Sequence, residues 1–151
     1  MSNLKAGDKA PAINAIDQEG NKISLDLFKG RKVVLYFYPK DDTPGCTAEA
    51  CSLRDNYKTL QDQGYAVIGV SPDSQKSHLK FADKHELPFP LIADTEKVVI
   101  KDYGAWGLKK FMGREYEGVI RTTFIINEKG LIDEIFAKVD TKNHAFQVLN
   151  R

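Results

Sequence analysis

The sequence of 151 residues contains two cysteines, Cys46 and Cys51, and their surroundings suggest redox chemistry. The apolar run at residues 33–38 predicts a buried strand that ends at Pro39. Thr43-Pro-Gly-Cys46 then predicts the start of a helix, with Thr43 as its N-cap residue and Cys46 in the first turn. Free backbone N–H groups and the helix dipole favour a thiolate there. Cys46 is therefore predicted to be a nucleophile.

The second cysteine lies five positions further along the same predicted helix. Helical geometry places the Cα atoms of Cys46 and Cys51 about 8–9 Å apart and turns their side chains about 140° from each other. A disulfide requires Cα atoms within roughly 7 Å, so the two thiols cannot bond while the helix is intact. Bond formation requires the first turns to unwind. Unwinding makes sense if Cys46 is first oxidised to a sulfenic acid that Cys51 attacks.

The rest of the chain predicts an alternation of strands and helices around this position. This order is that of an α/β fold, a thioredoxin-like three-layer sandwich with a central mixed sheet and an N-terminal β-hairpin extension. Residues 105–118 are predicted to be irregular. The predicted strands are residues 13–16, 22–25, 33–38, 66–70, 91–93, 119–126 and 132–139, and the predicted helices are residues 46–63, 75–86, 97–103 and 143–149.

The composition favours one domain, residues 1–151, of a size that can bury a proper core. The 22 basic and 21 acidic residues nearly cancel, which argues against a nucleic-acid or membrane partner. The sequence shows neither a signal-like apolar segment at its start nor an apolar run of membrane-spanning length. A cytoplasmic location is expected. Because that compartment is reducing, a disulfide between the two cysteines is expected to be transient rather than structural.

The segment Pro39-Lys-Asp-Asp-Thr43-Pro-Gly-Cys46 resembles the peroxidatic Pro-x-x-x-Thr-x-x-Cys motif of peroxiredoxins. The spacing from Cys46 to Cys51 is similar to that of the atypical two-cysteine branch called the bacterioferritin comigratory protein or PrxQ type. Arg121, in Val-Ile-Arg-Thr-Thr-Phe, looks like the active-site arginine of that family. The resemblance covers roughly residues 4–149.

The resemblance implies a catalytic cycle that uses both thiols. Cys46 attacks hydrogen peroxide or an alkyl hydroperoxide and becomes a sulfenic acid, and Cys51 then forms a disulfide with it. Thioredoxin, or a similar dithiol protein, restores the two thiols. No metal, haem or flavin is required, and the relatives of this branch suggest a monomer.

Four further residues receive roles from the resemblance, and three of them, Thr43, Arg121 and Pro39, also have a structural explanation. Thr43 is implied to contact the reacting sulfur, although an N-cap threonine needs no other function. Arg121 is implied to hold the thiolate and the peroxide oxygens, although it could form only a structural salt bridge. Pro39 is implied to shield the sulfur, and Glu49 to orient the arginine. Cys46 itself could be a small buried hydrophobic residue.

Two other functions remain open from the sequence. A thioredoxin-like disulfide oxidoreductase normally has a Cys-x-x-Cys motif, whereas four residues separate the cysteines here. A thioredoxin-fold binding module without catalysis would leave the cysteines as packing residues. Sluggish reaction of Cys46 with peroxide would favour this second alternative.

Histidines and acidic residues near the motif do not predict a cofactor site. His78, His85 and His144 lack a convincing ligand spacing with the cysteines, so no zinc site is predicted. No glycine-rich phosphate motif follows a strand, which argues against a bound nucleotide. Asp41 and Asp42 are interpreted as carboxylates in a solvated turn that complement the helix dipole.

Overall fold

The computed structural model describes residues 3–151. A five-stranded sheet in the order β5-β4-β3-β8-β9 forms its centre. The strands of this sheet are β3 (Lys32–Phe37), β4 (Tyr65–Ser71), β5 (Leu91–Ala93), β8 (Thr122–Ile126) and β9 (Ile132–Phe136). The other elements are β1 (Ala15–Ile16), β2 (Lys22–Ile23), a 3-10 turn (Leu25–Phe28), α1 (Pro44–Asp55), α2 (Tyr57–Asp62), α3 (Gln75–His85), α4 (Val98–Asp102), β6 (Trp106–Phe111), β7 (Arg114–Val119) and α5 (His144–Leu149).

Strand β3 lies in the middle of the sheet. It pairs in parallel with β4 and antiparallel with β8, so the sheet is mixed, as predicted. Leu35, for example, lies opposite Ile68 on one side and Phe124 on the other. A strand covered on both faces requires an almost continuous apolar run, which explains why residues 33–38 are apolar at successive positions.

The side chains of β3 alternate between two separate hydrophobic clusters. Val33, Leu35 and Phe37 pack on the face covered by α4 and the N-terminal segment. Val34 and Tyr36 pack on the opposite face, against α1, α2, α3 and α5. Helices therefore cover both faces of the sheet, which confirms the predicted three-layer α/β architecture. Within residues 3–151, no helix combines the length and apolar character needed to cross a membrane.

The predicted helix at residues 46–63 is in fact two helices. α1 ends at Asp55 and α2 begins at Tyr57, with Asn56 between them. The side-chain amide of Asn56 donates a hydrogen bond to the carbonyl of Ser52 (2.8 Å), one turn earlier. Such a local side-chain bond competes with the backbone hydrogen bonds of a continuing helix. Helical periodicity alone did not reveal this interruption.

The expectation of irregular structure at residues 105–118 is wrong. Strands β6 and β7 form a hairpin there, joined by Met112 and Gly113, which both have positive φ (50° and 80°). A two-residue turn with this backbone is typical of β-hairpins, but the usual sequence signal is Asn-Gly or Asp-Gly.

The predicted strand at residues 119–126 is also two strands. β7 ends at Val119 and pairs with β6, whereas β8 begins at Thr122 and pairs with β3. The chain changes from one sheet to the other between these strands, and Arg121 lies at that crossing. The last strand, β9, ends at Phe136 rather than at residue 139.

Candidate active site

Cys46 is the third residue of α1, close to the end of the central strand. The side chain is 1% exposed and packs in the same hydrophobic cluster as Ala50 and Leu53 of the helix. The start of the helix is as predicted, with Thr43 in the extended N-cap conformation and Pro44 in the first turn. Cys46 therefore belongs to the hydrophobic core and also lies at a helix N-terminus. Its burial is compatible with a role as a nucleophile.

Arg121 joins Cys46 to Glu49. Its Nη2 group donates to Sγ of Cys46 (3.2 Å), and its Nη1 group donates to Oε1 of Glu49 (2.6 Å). A planar guanidinium can make both contacts at once because its donors are fixed in a fork. A Cβ atom placed on Gly45 would lie 3.4 Å from Nη2 of Arg121, an ordinary van der Waals distance, so the guanidinium lies directly beside the start of α1.

Glu49 is fully buried, and its second oxygen lies near a neutral histidine. Oε2 is 3.7 Å from Nε2 of His144. The His144 Nδ1 group lies 2.8 Å from the Gln147 oxygen, so Nδ1 carries the proton and Nε2 accepts from the Thr123 hydroxyl (2.8 Å). Desolvation lowers the pKa of His144. Burial raises the pKa of Glu49 to about 7, although Arg121 opposes this increase.

The change Glu49→Gln is expected to alter how stability depends on pH. Because the pKa of Glu49 is raised to about 7, the folded state keeps a proton that the unfolded chain releases above about pH 4.5. The free energy of unfolding therefore falls by about 3 kcal/mol as pH rises through this window. Glutamine does not titrate, so the variant should lose this contribution. Urea unfolding at both ends of the window measures it, and equal changes in the two proteins would contradict the expectation.

The Thr43 hydroxyl does not make the predicted capping hydrogen bond. It donates instead to the backbone carbonyl of Lys40 (2.8 Å), within the loop that precedes α1. A hydroxyl that donates to a carbonyl presents its lone pairs to other groups. Pro39 is half-buried directly after the extended segment, where the sequence predicted it.

Asp41 is buried, which corrects its assignment to a solvated turn. Its carboxylate accepts hydrogen bonds from Tyr38 (2.6 Å) and Ser77 (2.8 Å) and lies 2.7 Å from Nδ1 of His78. These contacts fix the loop between β3 and α1 onto α3. Asp42 is exposed, as expected for a solvated turn residue. The sequence missed the buried cluster because Ser77 and His78 lie more than thirty positions from Asp41, and no local pattern connects them to it.

Asp41, Asp73 and His78 are a group that could be considered for a metal ion, because their ligand atoms lie within 4.8 Å of one another. Their hydrogen bonds provide a simpler explanation. Asp73 accepts from the backbone N–H of Asp41 (2.8 Å) and from the Ser71 hydroxyl (2.7 Å), while Asp41 faces the imidazole. The hydrogen bonds of the cluster therefore explain its buried polar groups.

Cys51 lies on α1 with a half-buried thiol, and both cysteines are free. Cys46 and Cys51 belong to one intact helix in the structure, so this helix must unwind before the two thiols can bond. The Cys51 sulfur lies 4.0 Å from Nδ1 of His85 at the end of α3. No pattern in the sequence connects these two residues.

Comparison with known sequences provides independent evidence. A model of the AhpC/TSA family matches residues 6–135. Peroxiredoxin Bcp from Escherichia coli (strain K12) is 44% identical over 150 residues, which cover 99% of this chain and 96% of the relative. Peroxiredoxin Bcp from Bacillus subtilis (strain 168) is 43% identical over 146 residues, which cover 97% of this chain and 93% of the relative.

Solved structures are similar over almost the whole chain. A mutant of PrxQ from Xylella fastidiosa has a TM-score of 0.92 at 30% identity, covering 99% of this chain and 96% of the other. Peroxidoxin BcpB from Mycobacterium tuberculosis has a TM-score of 0.86 at 30% identity, covering 98% and 96%. These similarities confirm the thioredoxin-like fold. The chain therefore belongs to the AhpC/TSA family, as a peroxiredoxin of the bacterioferritin comigratory protein or PrxQ type, and peroxiredoxins are thiol-dependent peroxidases.

Proposed function

We propose that the chain reduces hydrogen peroxide and organic hydroperoxides, with Cys46 as the peroxidatic residue. The observation that carries this proposal is the position of Arg121, whose guanidinium lies 3.2 Å from the Cys46 sulfur and 2.6 Å from Glu49. A cation aimed at a thiol favours the thiolate, which is the nucleophilic form. Glu49 acts as a positioning residue, because its contact with Nη1 leaves Nη2 directed at the sulfur.

The chemical step is a displacement at oxygen. The Cys46 thiolate attacks one peroxide oxygen, an S–O bond forms and the O–O bond breaks. Sulfur is oxidised to a sulfenic acid, and the second oxygen leaves as hydroxide or alkoxide, which takes a proton to become water or alcohol. Negative charge moves along the line S–O–O, so donors placed beside that line stabilise the transition state. Arg121 supplies such donors.

Thr43 and Pro39 complete the proposed site. Because the Thr43 hydroxyl donates to Lys40, its oxygen is available to accept the hydrogen of a bound hydroperoxide. Pro39 has no backbone N–H group and is half-buried after the central strand, so it limits the access of water to the sulfur without adding a competing donor.

We assign Cys51 as the resolving residue. After the first turns of α1 unwind, its sulfur attacks the Cys46 sulfenic acid, which gives a Cys46–Cys51 disulfide and water. Thioredoxin, or a similar dithiol protein, then reduces this disulfide by thiol–disulfide exchange. We place the protein in the cytoplasm as a monomer, with residues 1–151 as one domain.

The change Cys51→Ser is expected to reduce steady-state turnover with thioredoxin at least about tenfold, because the sulfenic acid is left without an internal thiol. The single-turnover reaction of Cys46 with peroxide should stay within about twofold, because Cys51 makes no contribution to that step. Coupled thioredoxin reductase assays measure the turnover, and rapid mixing with peroxide measures the first step. Undiminished turnover would remove Cys51 from the cycle.

A disulfide oxidoreductase is a less suitable function for this site. That activity requires two thiols that exchange readily in the folded state. Here both cysteines lie five positions apart on an intact helix, and one of them is 1% exposed beside an arginine.

A further inference from the structure

The environment of Cys51 contains an imidazole directed at its sulfur. Nδ1 of His85 lies 4.0 Å from Sγ of Cys51, within the range of a hydrogen bond to sulfur. The ring packs edge-on against Phe81, with centroids 5.2 Å apart and planes at 74°. This packing restricts the rotation of the ring, so Nδ1 remains directed toward the thiol.

The other ring nitrogen of His85 lies on the side of an acidic residue. Nε2 is 3.6 Å from Oδ1 of Asp42. That separation is too long for a hydrogen bond. Within residues 3–151, Nε2 of His85 is buried and has no hydrogen-bond partner. The hydrogen bond from Lys84 holds the pKa of Asp42 below its ordinary value. A carboxylate therefore faces the nitrogen that would share the positive charge of a protonated ring.

Two backbone features fix the position of His85. His85 is the last residue of α3, and the negative end of a helix dipole stabilises a cation in the last turn. Nη1 of Arg54 donates to the carbonyl of His85 (2.8 Å) and so ties α1 to the end of α3. Arg54 also lies close enough to Cys51 for their charges to interact.

We propose that His85 is a catalytic residue of the resolving step, as the general base that takes the proton of Cys51. This inference rests on the proposed function, because it presupposes a sulfenic acid at Cys46. The Cys51 proton passes to Nδ1 of His85, and the sulfur electron pair forms the S–S bond with Cys46. The S–O bond of the sulfenic acid breaks, and the oxygen leaves with a proton as water. Cys51 is oxidised and the sulfenic sulfur is reduced.

The contact between Arg54 and His85 is compatible with the unwinding that the reaction needs. Arg54 follows Cys51 on α1, so the part of the helix before Cys51 can unwind while Arg54 still holds the remainder on α3. Cys51 thereby keeps its base as Cys46 approaches. The charged groups that face this ring are Asp42 in the loop, Arg54 on α1, and Lys84 and Glu86 beside it in the chain.

The change His85→Asn tests the proposal, because an amide retains a polar side chain but cannot take the proton. We expect disulfide formation after one equivalent of hydrogen peroxide to slow about tenfold near pH 7, where an ordinary thiol is only a few per cent ionised. The defect should nearly disappear at about pH 9, where a thiol ionises without help. Time-resolved intact mass follows the gain of one oxygen and then the loss of two hydrogens. Lys80→Gln, an exposed change on α3, is the matched control.

Formation of the sulfenic acid should be unchanged in His85→Asn. A failure of the proposed function would be seen separately, because the unmodified protein would then not gain the oxygen atom of the sulfenic acid. Equal rates of disulfide formation in the unmodified protein and in His85→Asn near pH 7 would overturn the role of His85, and so would an equal defect at both pH values.

If His85→Asn folds poorly, two other variants give a second test: Cys46→Ser alone, and Cys46→Ser combined with His85→Gln. Alkylation of Cys51 by iodoacetamide near pH 7 should then be several-fold slower without the histidine, and equal alkylation would refute the proposal.

Discussion

Replacement of Cys46 by serine is expected to reduce peroxide reduction by at least about a thousandfold. A serine hydroxyl is not ionised near neutral pH, and its oxygen cannot form the sulfenic acid on which the cycle depends. The side chain is 1% exposed and close to serine in size, so the fold should persist. Disappearance of hydrogen peroxide at equal concentrations of peroxide and reduced protein measures the effect.

The matched control for this result is Cys51→Ser, which removes the other thiol and leaves Cys46 beside Arg121. This variant should consume one equivalent of peroxide at the normal rate. If Cys46→Ser consumed peroxide within about tenfold of the unmodified rate, Cys46 would not be the reacting residue. Its burial would then be explained by packing alone.

Substitution of Arg121 is expected to have the second-largest effect. Loss of one preorganised donor at a developing negative charge typically costs a factor of about 10² to 10³ in rate. Arg121→Lys keeps the charge but loses the fork that contacts Cys46 and Glu49 together, so it should be almost as slow as Arg121→Met. Rapid mixing of reduced protein with hydrogen peroxide measures this rate.

Loss of Arg121 also leaves the buried Glu49 carboxyl without its hydrogen-bond donor, which is expected to destabilise the protein by about 1–3 kcal/mol. The double variant Arg121→Met with Glu49→Gln removes that unpaired carboxyl and should recover much of the stability but not the rate. Arg114→Lys, at an exposed position on β7, is the control for an ordinary arginine substitution. A double variant that reacts with peroxide at the unmodified rate would show that Arg121 has only a structural role.

The sequence predicted best where local chemistry determines the structure. The apolar run before Pro39 and the Thr-Pro-Gly segment before Cys46 specify a buried strand followed by a helix start, and the structure has both. The motif with Arg121 led to the correct family, which the comparisons confirm. The individual roles of the site residues stay predictions until variants are measured.

The errors occurred where tertiary contacts or an unusual turn determine the structure. The hairpin β6–β7 was missed because Met112 and Gly113 lack the usual turn signal and because large apolar side chains on these strands, such as Phe111, are exposed. The division of one predicted strand near Arg121 depends on which neighbour each half pairs with. A sequence pattern within one strand contains no information about that pairing.

Contacts between distant segments were also inaccessible to the sequence. Glu49 lies one turn after Cys46 on α1, but nothing in the sequence connected it with His144 in the last helix. Asp41 was interpreted as solvated because its partners on α3 are not visible from its neighbours in the chain. The same limitation hid the contact between Cys51 and His85.

The most direct test of the account is the intact mass of the reduced protein, quenched within about a second of the addition of one equivalent of hydrogen peroxide. We expect the rapid loss of two hydrogens, which corresponds to a disulfide between Cys46 and Cys51, and no such loss in Cys46→Ser. A stable gain of one oxygen would contradict the role of Cys51. An unchanged mass would contradict the central claim that Cys46 reacts with peroxide.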